Sequence, residues 1–103
     1  MTPEQIYNAA VAAGLKAAST EDDTFRFNCG FAWVIVKPAR GKFVTWCKAN
    51  KHGRSGYEPG WHFWYSEFSS ATQSMDVHVA AAEAFAKVLN DNGIVATVGS
   101  RLD

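Results

Sequence analysis

No aspartate or glutamate stands anywhere from Thr24 to Tyr57, although the chain of 103 residues carries ten acidic and ten basic side chains. That span holds seven of the ten cations: Arg26, Lys37, Arg40, Lys42, Lys48, Lys51 and Arg54. A formal net charge of zero therefore conceals a basic segment balanced by acidic residues elsewhere, and a charge-neutral surface is excluded. Cysteine is scarce as well. Cys29 and Cys47 form no CxxC pair and are too few for a secreted disulfide scaffold, so both are expected as free, buried thiols.

Long apolar runs are missing. No window approaches the ~20 residues that cross a bilayer, and the N-terminus has no basic stretch leading into an apolar one, so a soluble, cytoplasmic protein is expected. Nothing reads as a Pro/Gly/Ser linker or a low-complexity tail, which leaves one compact domain over residues 1–103. His52, His62 and His78 show no HxxxH, HExxH or other ligand spacing, so no metal is expected. No P-loop or GxGxxG is present, and no cofactor is implied.

What the chain has in abundance is aromatic: four Trp, seven Phe and three Tyr. Buried rings contribute about 1.5 to 3 kcal/mol each, enough for a core without cross-links. Phe25, Phe27, Phe31, Trp33, Phe43 and Trp46 are interleaved with the basic residues, and Trp61, Phe63, Trp64 and Tyr65 follow directly. Cations beside rings suit anionic partners. The same pattern also arises when an aromatic core meets a surface with segregated charge.

Local signals order the elements. Thr2-Pro3-Glu4-Gln5 reads as a capped helix start, with Ile6, Tyr7, Ala10, Val11 and Ala13 apolar and Gly14 as its stop. Residues 15–20 are read as a short strand, Glu21-Asp22-Asp23 as a turn, and 24–36 as a central strand alternating at period two, with Phe25, Phe27, Cys29, Phe31, Trp33 and Ile35 on one core-facing side and the second half covered on both faces. After Pro38 a helix over 39–50 would gather Arg40, Lys48 and Lys51 on one solvent side, followed by a Gly-rich loop over 51–60. A strand over 61–67, a helix from Ser74 to Asn92-Gly93, a strand over 94–98 and a five-residue tail complete the chain. The fold class is α/β, with α+β as the alternative, in the order α-(β)-β-α-β-α-β. Three helices should pack on a small mixed sheet of three or four strands, the strand–helix–strand units pairing in parallel.

Catalytic constellations are weak. Cys29 and Cys47 fall on core faces, which argues against a Cys–His nucleophile, and His78 reads as a solvated side chain. Gly53-Arg54-Ser55-Gly56 could cradle a phosphate but also reads as a surface turn. No catalytic residue is assigned. The candidate binding surface is Arg40, Lys48, Lys51, His52, Arg54, Tyr57 and Trp64. Glu21, Asp22, Asp23, Glu83 and Asp91 form a complementary acidic set that would allow homo-oligomers.

Cys29-Gly30-Phe31-Ala32-Trp33-Val34, Gln73 to Asp76, Ala82 to Leu89, Gly93-Ile94 and Gly99 to Asp103 resemble small uncharacterised accessory proteins of tailed bacteriophages. The resemblance covers about two thirds of the chain and brings no site residues with it. It implies a small phage protein of the host cytoplasm that binds and disables a host factor. The leading reading is accordingly a stoichiometric inhibitor of a bacterial defence factor (anti-CRISPR-like), whose partner is a host protein or protein–nucleic acid complex, with no role for a membrane. The alternative is nucleic-acid or nucleotide binding through the basic, aromatic segment 37–64. A second alternative is a small hydrolase or transferase built on Glu58, His62 and Glu67.

Overall fold

Thr2 and Gln5 close the expected capping box. The Thr2 backbone N–H donates to Gln5 Oε1 at 2.9 Å and the Gln5 N–H to Thr2 Oγ1 at 3.2 Å. The helix so started, α1, spans Pro3–Thr20 and runs through Gly14 instead of stopping there. The reason is packing. Gly14 is buried, and a Cβ at this position would lie 2.6 Å from the Phe68 carbonyl oxygen and 2.9 Å from Phe68 Cβ. Ala10, Gly14 and Ala18 make a buried stripe of small residues that lets other backbone approach closely. The Leu-Lys-Ala-Ala run after Gly14 favours helix over the strand expected there.

The computed structural model describes residues 1–20, 30–69 and 74–102. The expected turn at 21–23 and the first part of the central strand, 24–29, with Phe25, Arg26, Phe27 and Cys29, lie outside the described residues, as do 70–73 and Asp103. In the order of the chain the further elements are β1 (Gly30–Val36), α2 (Lys42–Ala49), β2 (Arg54–Ser55), β3 (Trp61–Trp64), a 3₁₀ turn (Tyr65–Glu67), α3 (Met75–Asp91) and β4 (Ala96–Leu102). Two elements are shorter than expected. The second helix begins at Lys42, leaving Arg40 before it and Lys51 after it, and the third strand ends at Trp64 in the 3₁₀ turn.

The single α/β domain expected from the sequence is what these residues form, with three helices on a four-stranded sheet in the order β2-β3-β1-β4. The sheet is not mixed. β1 pairs antiparallel with β3 and with β4, and β2 pairs antiparallel with β3. The parallel relation was misplaced rather than absent. β3 and β4 both run opposite to β1, so they run parallel to each other with α3 as their connection, but β1 stands between them as in a split βαβ unit. The β2–β3 hairpin turns the chain back after α2, so β3 returns beside β1 in the opposite sense.

Alternation in β1 assigns the two faces of the sheet. Ala32, Val34 and Val36 are buried on the inner face, where their neighbours include Phe63 from β3 and Ala96 from β4. Phe63, Phe68 and Phe85 meet there with ring centroids 5.2 Å (Phe63–Phe85) and 4.9 Å (Phe68–Phe85) apart, and Leu89, Val44 and Cys47 are fully buried in the same core. α1 and α3 pack against each other on this side, and α3 covers β1 and β4. Its end is the one expected. Gly93 (φ 79°) follows the C-cap Asn92, and the Gly93 and Ile94 N–H groups donate to the Asn90 and Leu89 carbonyls. Asp76 stands in its first turn, where the helix dipole favours an acid. Among the described residues no helix is long and apolar enough to cross a membrane.

Candidate functional site: an aromatic sheet face flanked by arginines

The outer face of the sheet is built from the other half of the same alternation. β1 places Phe31, Trp33 and Ile35 there, and the register aligns Trp33 with Trp64 and Ile35 with His62 on β3. On the far side it aligns Phe31 with Arg101 and Trp33 with Gly99 on β4. β2 adds Arg54 opposite His62. Four strands thus converge on one surface of rings and guanidinium groups.

The two ends of this face differ in cover. At one end the loop from Gly56 to Gly60 folds back over it. The His62 Nε2–H donates to the Glu58 carbonyl at 3.0 Å, Gly60 lies against Ile35, and both His62 and Ile35 are buried. At the other end Phe31, Trp33 and Trp64 remain partly exposed. Trp33 and Trp64 have centroids 5.2 Å apart, Phe31 and Trp64 6.3 Å in an edge-on arrangement, and Phe31 and Tyr65 6.0 Å in a stack. Gly99 gives Trp33 its seat, because any Cβ at that position would overlap the indole.

Both arginines of this face lie over rings. The Arg54 guanidinium carbon is 5.3 Å from the Trp64 centroid and that of Arg101 is 5.6 Å from Phe31. Among the described residues neither forms an ion pair with a carboxylate. Between them lies an open hollow of about 320 Å³, walled by Phe31 and Trp64 and edged by Tyr65 and Ser66. A smaller hollow of about 130 Å³ adjoins it across Trp64 and Arg101, bounded by Trp33, Tyr57, Glu58 and His62. Tyr57 is fully exposed at its rim.

His78 holds one edge in place. It was expected in solvent, yet it is wholly buried, with its ring stacked 4.0 Å from that of Tyr65 and Nδ1 2.8 Å from Ser69 Oγ. Its position on the core stripe of α3, four residues before Ala82, explains the burial.

The structure divides the seven sequence-derived candidates. Arg54, Tyr57 and Trp64 come together on the outer face. Arg40, Lys48, Lys51 and His52 lie around α2, and two of these have local partners. Lys48 Nζ donates to the Ala39 carbonyl at 3.3 Å and sits 5.1 Å from the Trp61 ring. His52 stacks on Tyr7 at 4.1 Å and meets Trp46 at 5.3 Å, while its carbonyl accepts from the Trp61 indole at 3.0 Å. Arg40 borders a separate hollow with Lys37 and Lys42. In the acidic set, Asp91 pairs with Lys87 at 2.7 Å and Glu83 is exposed.

The carboxylates proposed beside His62 do not converge on it. Glu58 offers its backbone carbonyl, and Glu67 points to the helix side, where Oε1 accepts from the Tyr7 hydroxyl at 2.8 Å and the Gly53 N–H at 3.2 Å. Burial, then the Glu67 hydrogen bond and charge, raises the Tyr7 pKa. Burial, with Glu67 adding repulsion, pushes the Cys47 thiol up to about 12. Such a thiol is a poor nucleophile at neutral pH. Among the described residues no three His, Cys, Asp or Glu side chains cluster closely enough to hold a metal.

Three members of the face escape a sequence reading as site residues. Phe31 and Trp33 carried the right alternation but were assigned to the core, and Arg101 falls in what reads as a tail. The usable signal was the polar and apolar mixture of β4, Ala-Thr-Val-Gly-Ser-Arg-Leu, which alternates like an edge strand. Comparison of the chain with protein-family models, with curated proteins and with solved structures finds no match.

Proposed function

We propose that this protein acts stoichiometrically, as a binding module that captures a protein partner through the outer face of its sheet. The observation that carries the reading is the partly exposed cluster Phe31, Trp33 and Trp64 with Arg54 and Arg101 laid over it. Trp, Tyr and Arg are the residues that dominate binding energy at protein interfaces, and they do so in a central, water-excluding cluster. The resemblance to tailed-phage accessory proteins gives the reading its context. In that context the module works in the host cytoplasm as an inhibitor of a bacterial defence factor.

Charge favours a protein over a nucleic acid here. Two arginines neutralise at most two phosphates, for which log K would fall against log salt with a slope of only about −1.4 for a single strand. Glu58 borders the adjoining hollow and would repel a continuing backbone. The test is co-purification from nuclease-treated bacterial lysate using tagged protein, comparing the native chain with Trp64→Ala/Arg101→Gln and with Lys48→Glu/Lys51→Glu. Loss of a stoichiometric partner with the first pair and retention with the second is expected. The reverse pattern would move the contact to α2, and loss of the partner on nuclease treatment would favour nucleic acid.

A further inference from the structure

The larger hollow has a chemical character of its own. Among the described residues its polar lining comes from Arg54, Arg101, Tyr65 and Ser66, none of them acidic. Its walls are the rings of Phe31 and Trp64. Guanidinium groups bind carboxylates through paired N–H donors, and a ring beneath each one fixes its plane. Among the described residues neither arginine is paired with a carboxylate, so that charge is left for an acid of the partner. At about 320 Å³ the hollow accommodates one side chain and its neighbour but not a folded element.

We infer that the hollow between Arg54 and Arg101 receives one carboxylate side chain of the partner, an Asp or Glu that lies beside an apolar residue resting on Phe31 and Trp64. The inference rests on the proposed use of this face for protein capture and adds the chemistry of what is captured. A single anion is favoured over a polyanion because the next hollow along the face, across Trp64 and Arg101, carries Glu58.

The test uses the full chain with nitrogen-15 label, following the four tryptophan indole N–H signals by NMR. Probes are the blocked peptide Gly-Leu-Glu-Leu-Gly, its Gly-Leu-Gln-Leu-Gly counterpart, inorganic phosphate and a short single-stranded oligonucleotide at equal ionic strength. The Glu peptide is expected to shift the Trp64 signal saturably, and the Gln peptide to bind at least about tenfold more weakly. Arg54→Gln and Arg101→Gln should each weaken the Glu peptide about tenfold, with Lys at either position restoring part of the loss. Both sites are exposed, so these variants keep the native spectrum elsewhere. Equal binding of Glu and Gln peptides would overturn the carboxylate inference and leave protein capture by the face standing. Tighter binding of phosphate or of the oligonucleotide at Trp64 would overturn it in favour of phosphate. No peptide response, together with undiminished partner capture by Trp64→Ala/Arg101→Gln, would remove both the inference and the reading beneath it.

Discussion

Cys47 and Tyr7 are kept protonated by the same surroundings: burial first, then the Glu67 carboxylate. Their folded-state pKa values are raised, so the stability they contribute is fully present below the unfolded values and is lost as pH rises. For Cys47 the window runs from its ordinary value of 9.0 up to about 12. Across it, stability should fall by up to about 1.4 kcal/mol per pH unit for the one proton. Cys47→Ala should flatten the onset near pH 9 in a series of thermal melts, and an unchanged pH profile would show that Cys47 does not titrate as described. The same burial predicts that mass spectrometry after iodoacetamide treatment finds the Cys47 peptide unmodified in native protein and modified in urea. Gly14 provides a second residue-scale test. Alanine there gains helix propensity of about 1 kcal/mol, but its methyl group would press on the Phe68 backbone, and overpacking costs about 1 to 3 kcal/mol. Net destabilisation in urea melts is expected, and a net gain would mean that α1 can move away from Phe68.

At the scale of elements, β4 connects the fold to the site. It supplies Arg101 as a cation and Gly99 as the bare surface on which the Trp33 indole rests. Gly99→Val favours strand geometry yet evicts the indole. It should destabilise by about 1 to 3 kcal/mol, alter tryptophan emission and reduce partner capture. A variant with native emission would show that Trp33 has another seat. β4 also shows what a sequence can and cannot disclose. Helix ends are encoded within four or five residues, and the capping box at Thr2 and Gln5 and the stop at Gly93 were legible for that reason. Period-two alternation likewise disclosed both faces of β1. Which face the helices cover is a tertiary outcome, and so Phe31 and Trp33 were read as core. The sense in which β1 slots between β3 and β4 is equally non-local, and it makes the sheet antiparallel. Gly14 misled because a close approach to Phe68 and a helix stop favour the same residue.

The whole molecule is two-sided. Among the described residues the helices and most of the rings lie on one side of the sheet, and on the other a small set of rings is left partly exposed under two arginines. Basic charge around α2 has local uses, with Lys48 held at Ala39 and Trp61 and His52 stacked on Tyr7. The described part of the basic segment, 30–57, feeds both sides of the sheet, so its charge is divided between α2 and the outer face. Oligonucleotide binding by the native chain is expected to be weak at physiological salt and to show a shallow salt slope, as polarisation titrations would measure. Hydroxyl-radical footprinting of the complex isolated from bacterial lysate, read residue by residue against the free protein, tests the proposed contact most directly. Protection of Phe31, Trp33 and Trp64 with unchanged labelling of residues 42–51 is the result expected if the outer sheet face is the contact. Protection confined to residues 42–51, with the three rings still reactive, would contradict it.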